Sequence, residues 1–137
     1  MRKSWFLVAA LMATTVLAGC GAVDLVGSGR VAGTYELRSV NGVRLPAVYY
    51  EESGYRLEIL NANFSIENDG TFTEALILRE TVRGSSSTNS TSTYGNYDYY
   101  NGEFTFDEVG GHRYYGRLNG STLIIEDEGV TMEYWRY

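Results

Sequence analysis

The chain has one cysteine, Cys20, one histidine, His112, and one lysine, Lys3. A lone cysteine excludes a scaffold stapled by internal disulfides, and one Cys with one His excludes a zinc finger or zinc ribbon. Positive charge is also scarce, with 11 basic residues against 17 acidic ones in 137 residues. Phosphate backbones call for a basic patch, so the composition argues against nucleic acid as a partner. No apolar run reaches the ~20 residues of a membrane-crossing helix. What is present is a chain of one-domain length with 44% apolar residues, enough for a globular core.

The N-terminus reads as an export signal. Arg2 and Lys3 precede an apolar stretch from Trp5 to about Val16, and small residues follow. The stretch predicts a lone helix over 5–17 that serves export and makes few contacts with the rest of the chain. Leu17-Ala18-Gly19-Cys20 resembles the lipobox of bacterial lipoproteins. The resemblance implies cleavage before Cys20, with Cys20 acylated and becoming the mature N-terminus. Two or more acyl chains give a stable bilayer anchor where one gives marginal binding. Residues 1–19 are thus expected to be a signal peptide. Their removal takes Arg2 and Lys3 away and leaves 9 basic against 17 acidic residues, a net charge of −8. Residues 20–32 include three glycines after Cys20, show no period, and are expected to be a flexible tether. The position after the cysteine is Gly21. In the enterobacterial sorting pattern an Asp there retains the protein at the inner membrane. The resemblance therefore implies the bacterial cell envelope and, in a Gram-negative host, the outer membrane facing the periplasm.

Residues 33–137 alternate with period two. Tyr35 and Leu37 share one face, as do Tyr55, Leu57 and Ile59, Phe64 and Ile66, Phe104 and Phe106, and Met132 and Tyr134. One apolar face per strand is the mark of an antiparallel sheet. Turn signals separate the segments at Asn41-Gly42, Asn68-Asp69-Gly70, Asn101-Gly102, Gly110-Gly111, Asn119-Gly120 and Glu128-Gly129. The predicted strands are 33–40, 54–60, 62–67, 71–82, 94–100, 102–107, 112–118 and 121–137, the last a hairpin. Leu45–Glu52 after Pro46 is expected to turn once as helix. The polar run 84–93 is expected to be a solvated loop. The fold class is all-β, an antiparallel up-and-down barrel of eight strands. The proposed inward residues are Tyr35, Leu37, Leu57, Ile59, Phe64, Ile66, Phe72, Leu76, Leu78, Phe104, Phe106, Leu118, Leu123, Ile125, Met132 and Tyr134. They are bulky, so a filled interior with a shallow pocket at one mouth is expected.

Gly33-Thr34-Tyr35-Glu36-Leu37, Asn68-Asp69-Gly70-Thr71-Phe72 and Glu133-Tyr134-Trp135-Arg136 resemble the first strand, a mid-barrel hairpin and the last strand of small lipocalin-like bacterial lipoproteins. Lipocalins open with Gly-x-Trp and lay an Arg of the last strand across that ring. Gly33, Tyr35 and Arg136 hold these places here, with Tyr for Trp, and are the expected closure residues. Arg136 shares the phase of Tyr134 and is expected to point inward, with the Tyr35 ring or Glu74 as its partner.

No catalytic constellation stands out. Nucleophilic catalysis needs a nucleophile, a base and an orienting group, and His112 is the one imidazole. The chain is read as a non-enzyme with no metal or cofactor. The prominent feature is aromatic: Tyr94, Tyr97, Tyr99, Tyr100, Tyr114 and Tyr115 crowd one stretch, and Tyr is enriched at binding surfaces. The expected function is a membrane-anchored binding module for a small apolar ligand or a neighbouring envelope protein, with those tyrosines as contact residues. Two alternatives stand beside it, a structural envelope protein and a periplasmic lysozyme inhibitor. Ser53-Gly54-Tyr55 resembles the Ser-Gly loop of such inhibitors, and an acidic barrel would be steered to a cationic enzyme.

The anchor has a direct test. Cys20→Ser should abolish acylation and leave the chain unprocessed or released. Mass spectrometry of the wild-type protein from membranes should find Cys20 as an acylated N-terminus, and a Cys20 without acyl mass would sink the assignment.

Overall fold

The structure, a computed structural model, describes residues 31–137. The expected export helix, Cys20 and the tether up to residue 30 lie outside the described residues.

Ten strands follow one another: β1 (Gly33–Val40), β2 (Val43–Arg44), β3 (Ala47–Glu52), β4 (Tyr55–Ile66), β5 (Thr71–Val82), β6 (Ser85–Tyr100), β7 (Glu103–Glu108), β8 (Arg113–Asn119), β9 (Thr122–Asp127) and β10 (Val130–Arg136). Each strand from β4 to β10 pairs antiparallel with the next, β10 pairs with β1, and β1 pairs with β4. Eight strands therefore close an up-and-down barrel, with β2 and β3 hung outside it. Closure removes the unpaired edges that an open sheet would expose.

The hairpins follow from turn chemistry. Asn41-Gly42, Asn101-Gly102 and Glu128-Gly129 have positive φ at both residues, as two-residue turns matching the strand twist require. Arg83-Gly84 does the same, with φ of 49° and 87°. That turn joins β5 to a β6 that begins at Ser85, so the expected loop 84–93 is a strand. Its Ser and Thr residues pair with Val82 through Glu74 in unbroken register. Exposed β-branched Thr suits a pleated surface, and the partner strand supplies the order that composition alone does not. Pairing with β7 starts only at Gly95, so residues 85–93 of β6 pair with β5 alone.

Two more expectations are corrected. Residues 54–60 and 62–67 form one strand, β4, bulged between Ile59 and Asn61. The bulge shifts the inward phase from odd positions (Leu57, Ile59) to even ones (Ala62, Phe64, Ile66), which in sequence reads as a break between strands. Residues 47–52 form β3 rather than a helical turn, because β4 offers them a free edge. There β4 diverges from β1, whose pairing with it is confined to Gly33–Glu36 against Asn63–Ile66.

The floor lies where the chain enters β1 and leaves β10. Val31 is buried beneath it, and its carbonyl accepts the Tyr35 hydroxyl at 2.6 Å. The packed body thus includes Val31, two residues before the expected boundary. All sixteen proposed inward residues are buried or half-buried. The lower barrel is filled by rings around Phe106. Phe64 and Phe72 each lie 5.0 Å from it, Phe104 and Tyr114 5.2 Å and Tyr97 6.4 Å. Such pairs add about 0.5–1.5 kcal/mol each beyond burial. Gly116 faces this cluster, where a Cβ would meet Phe106 Cε2 at 3.0 Å.

Gly95 sits where β6 leaves the barrel wall. A Cβ there would collide with the Asp107 carbonyl oxygen and lie 2.8 Å from Glu108 Cα. Both obstacles are backbone, so the strand pair itself would have to move. Gly95→Ala should lower stability by at least about 2 kcal/mol. Gly120→Ala, in an open turn with φ of 61°, should cost only about 1 kcal/mol. Urea denaturation of both variants checks the ranking.

Candidate functional site

The six crowded tyrosines do not form one surface. Strand alternation sends Tyr97 (8% exposed) and Tyr114 (4%) into the core, with Tyr99 packed against it, and sends Tyr94 (59%), Tyr100 (84%) and Tyr115 (59%) out. Tyr97 donates to the Glu67 carbonyl at 2.7 Å and so fastens β6 to the floor. Tyr94 and Tyr100 are six residues apart on one strand, about 20 Å, and Tyr115 sits two strands away from β6. The stretch is dense in sequence because inward and outward tyrosines are interleaved.

The closure residues do come together. Tyr35 faces Arg136 across the β1–β10 ladder, and Leu37 faces Tyr134. The Arg136 guanidinium carbon lies 6.0 Å from the Tyr35 ring centroid, and its Nε is 3.0 Å from where a Gly33 Cβ would stand. A side chain at position 33 would push the cation off the ring. The inward course expected for Arg136 is corrected: it lies on the exposed underside of the floor, because β10 ends there. Glu74 is not its partner. That carboxyl is at the opposite end of the interior.

At that end the aromatic filling stops. A cavity of about 200 Å³ opens between Tyr49, Leu57, Ile59, Glu74, Leu76, Leu78, Asp127 and Met132. Leu57, Ile59, Leu76 and Leu78 come from the inner faces of β4 and β5. Met132 comes from β10, and Tyr49 and Asp127 stand at the rim from β3 and β9. The remaining grooves are walled in large part by outward residues, such as Arg38, Glu133 and Trp135 on β1 and β10 or Thr105, Tyr115 and Glu126 on β7–β9. They run along the outer wall, whereas the mouth cavity opens into the barrel.

Glu74 is the polar group in this apolar site. It is 7% exposed, and its Oε1 accepts the Tyr134 hydroxyl, which also lies 3.8 Å from Met132 Sδ. Burial, the chief cause, and the nearby Glu108 and Asp127 push its pKa up to about 7, against the pull of the Tyr134 bond. Burial likewise raises Tyr134 and Tyr114, and the Glu74 charge adds to both. The Tyr114 hydroxyl is buried without a hydrogen-bond partner. His112 lies outside this interior. It is bonded to Asp127 at 2.9 Å, and that carboxylate raises its pKa. The sequence already offered this carboxyl as inward: Glu74 shares one strand phase with Phe72, Leu76 and Leu78 and is the charged residue among them.

The Asp69 turn is structural, with Oδ1 accepting from Thr71 N at 3.0 Å and Thr71 Oγ1 at 2.6 Å. Among the described residues no group of three or more His, Cys, Asp or Glu side chains is placed to hold a metal. No protein-family model, curated protein or solved structure matches the chain.

A carboxyl held near 7 when folded binds protons more tightly than the unfolded chain, whose ordinary value is 4.5. Its contribution to stability is complete below about 4.5 and is lost as pH rises through about 7, on the order of 3 kcal/mol in all. Glu74→Gln should remove this slope. Between pH 5 and pH 8 the wild type should lose more stability than the variant by most of that amount, about 2.5 kcal/mol, measured by urea unfolding at both pH values. Equal slopes would show that Glu74 is not held protonated by the fold.

Proposed function

We propose that this protein is a lipid-anchored bacterial envelope lipoprotein whose barrel is a non-catalytic binding module for a small apolar ligand. The observation that carries the binding reading is the mouth cavity: about 200 Å³ lined by Leu57, Ile59, Leu76, Leu78 and Met132, at the end of a barrel otherwise packed with rings. Binding sites of this kind are concave and mostly apolar, with few polar groups to set orientation. The anchor rests on the lipobox resemblance of Leu17-Ala18-Gly19-Cys20. The two ends of the barrel fit together in this reading. The chain enters at the floor beside Gly33, and the cavity opens at the other end. An anchor at Cys20 would reach the barrel at its floor through the tether and would leave the mouth clear of the attachment.

The lysozyme-inhibitor alternative gains no support from the placement of its motif. Ser53-Gly54 is the tight turn between β3 and β4, with Gly54 at φ of 81°. The mature chain has no lysine to insert and no cysteine beyond Cys20.

Hexan-1-ol is a suitable neutral probe for the mouth. In methyl-detected NMR it should shift the signals of Leu57, Leu76, Leu78 and Met132 and leave Leu60 at the outer wall unmoved. Leu76→Trp, which fills the cavity, should abolish the shifts. Shifts confined to the outer grooves, or none at millimolar probe, would overturn the proposal.

A further inference from the structure

The apolar lining accounts for the body of a ligand but not for the carboxyl among it. Beside Phe72, Leu76 and Leu78 of the same strand phase a leucine at 74 would pack as well, and a buried ionisable group is costly unless it is paired. Only one of its two oxygens accepts from Tyr134, and a carboxylate has acceptor sites on both. We infer that the mouth cavity takes an apolar molecule ending in an ammonium group, with the Glu74 carboxylate as counter-ion and Asp127 as a second acidic group at the rim. This rests on the binding-module reading above and names the ligand class.

The surroundings of Glu74 choose the sign of the ligand. Tyr134 reaches it from β10, and Tyr114 comes near from β8. Asp127 at the end of β9 and Glu108 at the end of β7 add negative charge, and Glu128 acts with Asp127 on Tyr49 of β3. β4 and β5 present Leu57, Ile59, Leu76 and Leu78. The nearby bases are paired: His112 with Asp127 at the rim, Arg113 with Asp107 at 2.6 Å, and Arg56 and Arg79 with Glu58 on the outer face. An anionic ligand would meet like charge, and no base stands among the described residues that line the cavity. A neutral ligand would leave the carboxyl protonated. An ammonium provides the pairing that lets the carboxylate ionise in a low-dielectric site, where charge-assisted hydrogen bonds are strongest. The buried Tyr114 hydroxyl, without a partner in the structure, is a further polar group in the same interior.

Calorimetric titration of the full chain with hexylamine, hexan-1-ol and hexanoate tests this. At pH 8 hexylamine should bind at least about tenfold more tightly than hexan-1-ol, and hexanoate less tightly than either. Hexylamine stays charged throughout, as a lysine side chain does, so its affinity should fall about tenfold from pH 8 to pH 6 as Glu74 protonates, while that of hexan-1-ol stays level. Glu74→Gln should bring hexylamine to the level of hexan-1-ol. Asp127→Asn should weaken hexylamine alone, by about threefold, and together with the pH series decides the matter if Glu74→Gln does not fold. Equal binding of amine and alcohol, or tighter binding of hexanoate, overturns the ammonium assignment and leaves the apolar site standing. No binding of any of the three overturns both.

Discussion

Phe106 fixes the inside of this barrel. Its ring meets Phe64, Phe72, Phe104, Tyr97 and Tyr114, and these residues come from β4, β5, β6, β7 and β8. Rings packed edge to face, as Phe64 and Phe72 are on Phe106, or stacked, as Phe104 and Tyr114 are, tolerate little displacement, so these strands are held at one spacing. Space for the cluster comes from Gly116, which leaves room for the Phe106 edge, and from Gly95, which lets β6 and β7 approach at their backbones. The same packing decides where the interior is solid. Below, Tyr35, Tyr134 and Val31 complete the floor. Above, the wall is leucine, isoleucine and methionine, which do not reach across.

The unfilled end carries the polar chemistry. Glu74 is held there by Tyr134, one of the floor-side rings, so the site carboxyl is positioned by the core itself. Its environment favours the neutral acid, and a group that titrates near neutrality among apolar walls is a feature of binding and functional sites more than of structural ones. Glu58 is the contrast. It too is buried, but Arg79 and Arg56 hold it from the outer face, and the Arg79 hydrogen bond is the chief reason its pKa is lowered. One carboxyl on the β4–β5 wall has its cations, whereas among the described residues no cation is paired with the other, inside the barrel, and that difference underlies the proposed ammonium site.

The fold class, most strand positions and all sixteen inward residues were legible in the sequence, because period-two alternation and Asn-Gly turns are local signals that the pleat and the strand twist dictate. The misreadings have a common cause. Residues 84–93 look unstructured because their order is supplied by β5, a partner that composition does not register. The β4 bulge looks like a turn because both reverse the phase. Residues 47–52 became a strand because a neighbouring edge was free. The tyrosine run looks like a surface because sequence proximity hides the alternation between Tyr97 and Tyr99 inside and Tyr94 and Tyr100 outside.

By itself the sequence determined the all-β class, the inward phase of the strands that carry the sixteen inward residues and the presence of Glu74 within an apolar phase. These depend on neighbours two residues away, and the backbone sets that geometry. Only the tertiary structure decided that β1 closes on both β10 and β4, that Arg136 lies under Tyr35 while Glu74 stands at the far end, and that the rings fill one half of the barrel and leave the other open. Those outcomes depend on ring volumes and strand register around a closed circuit, and no local pattern in the chain carries them.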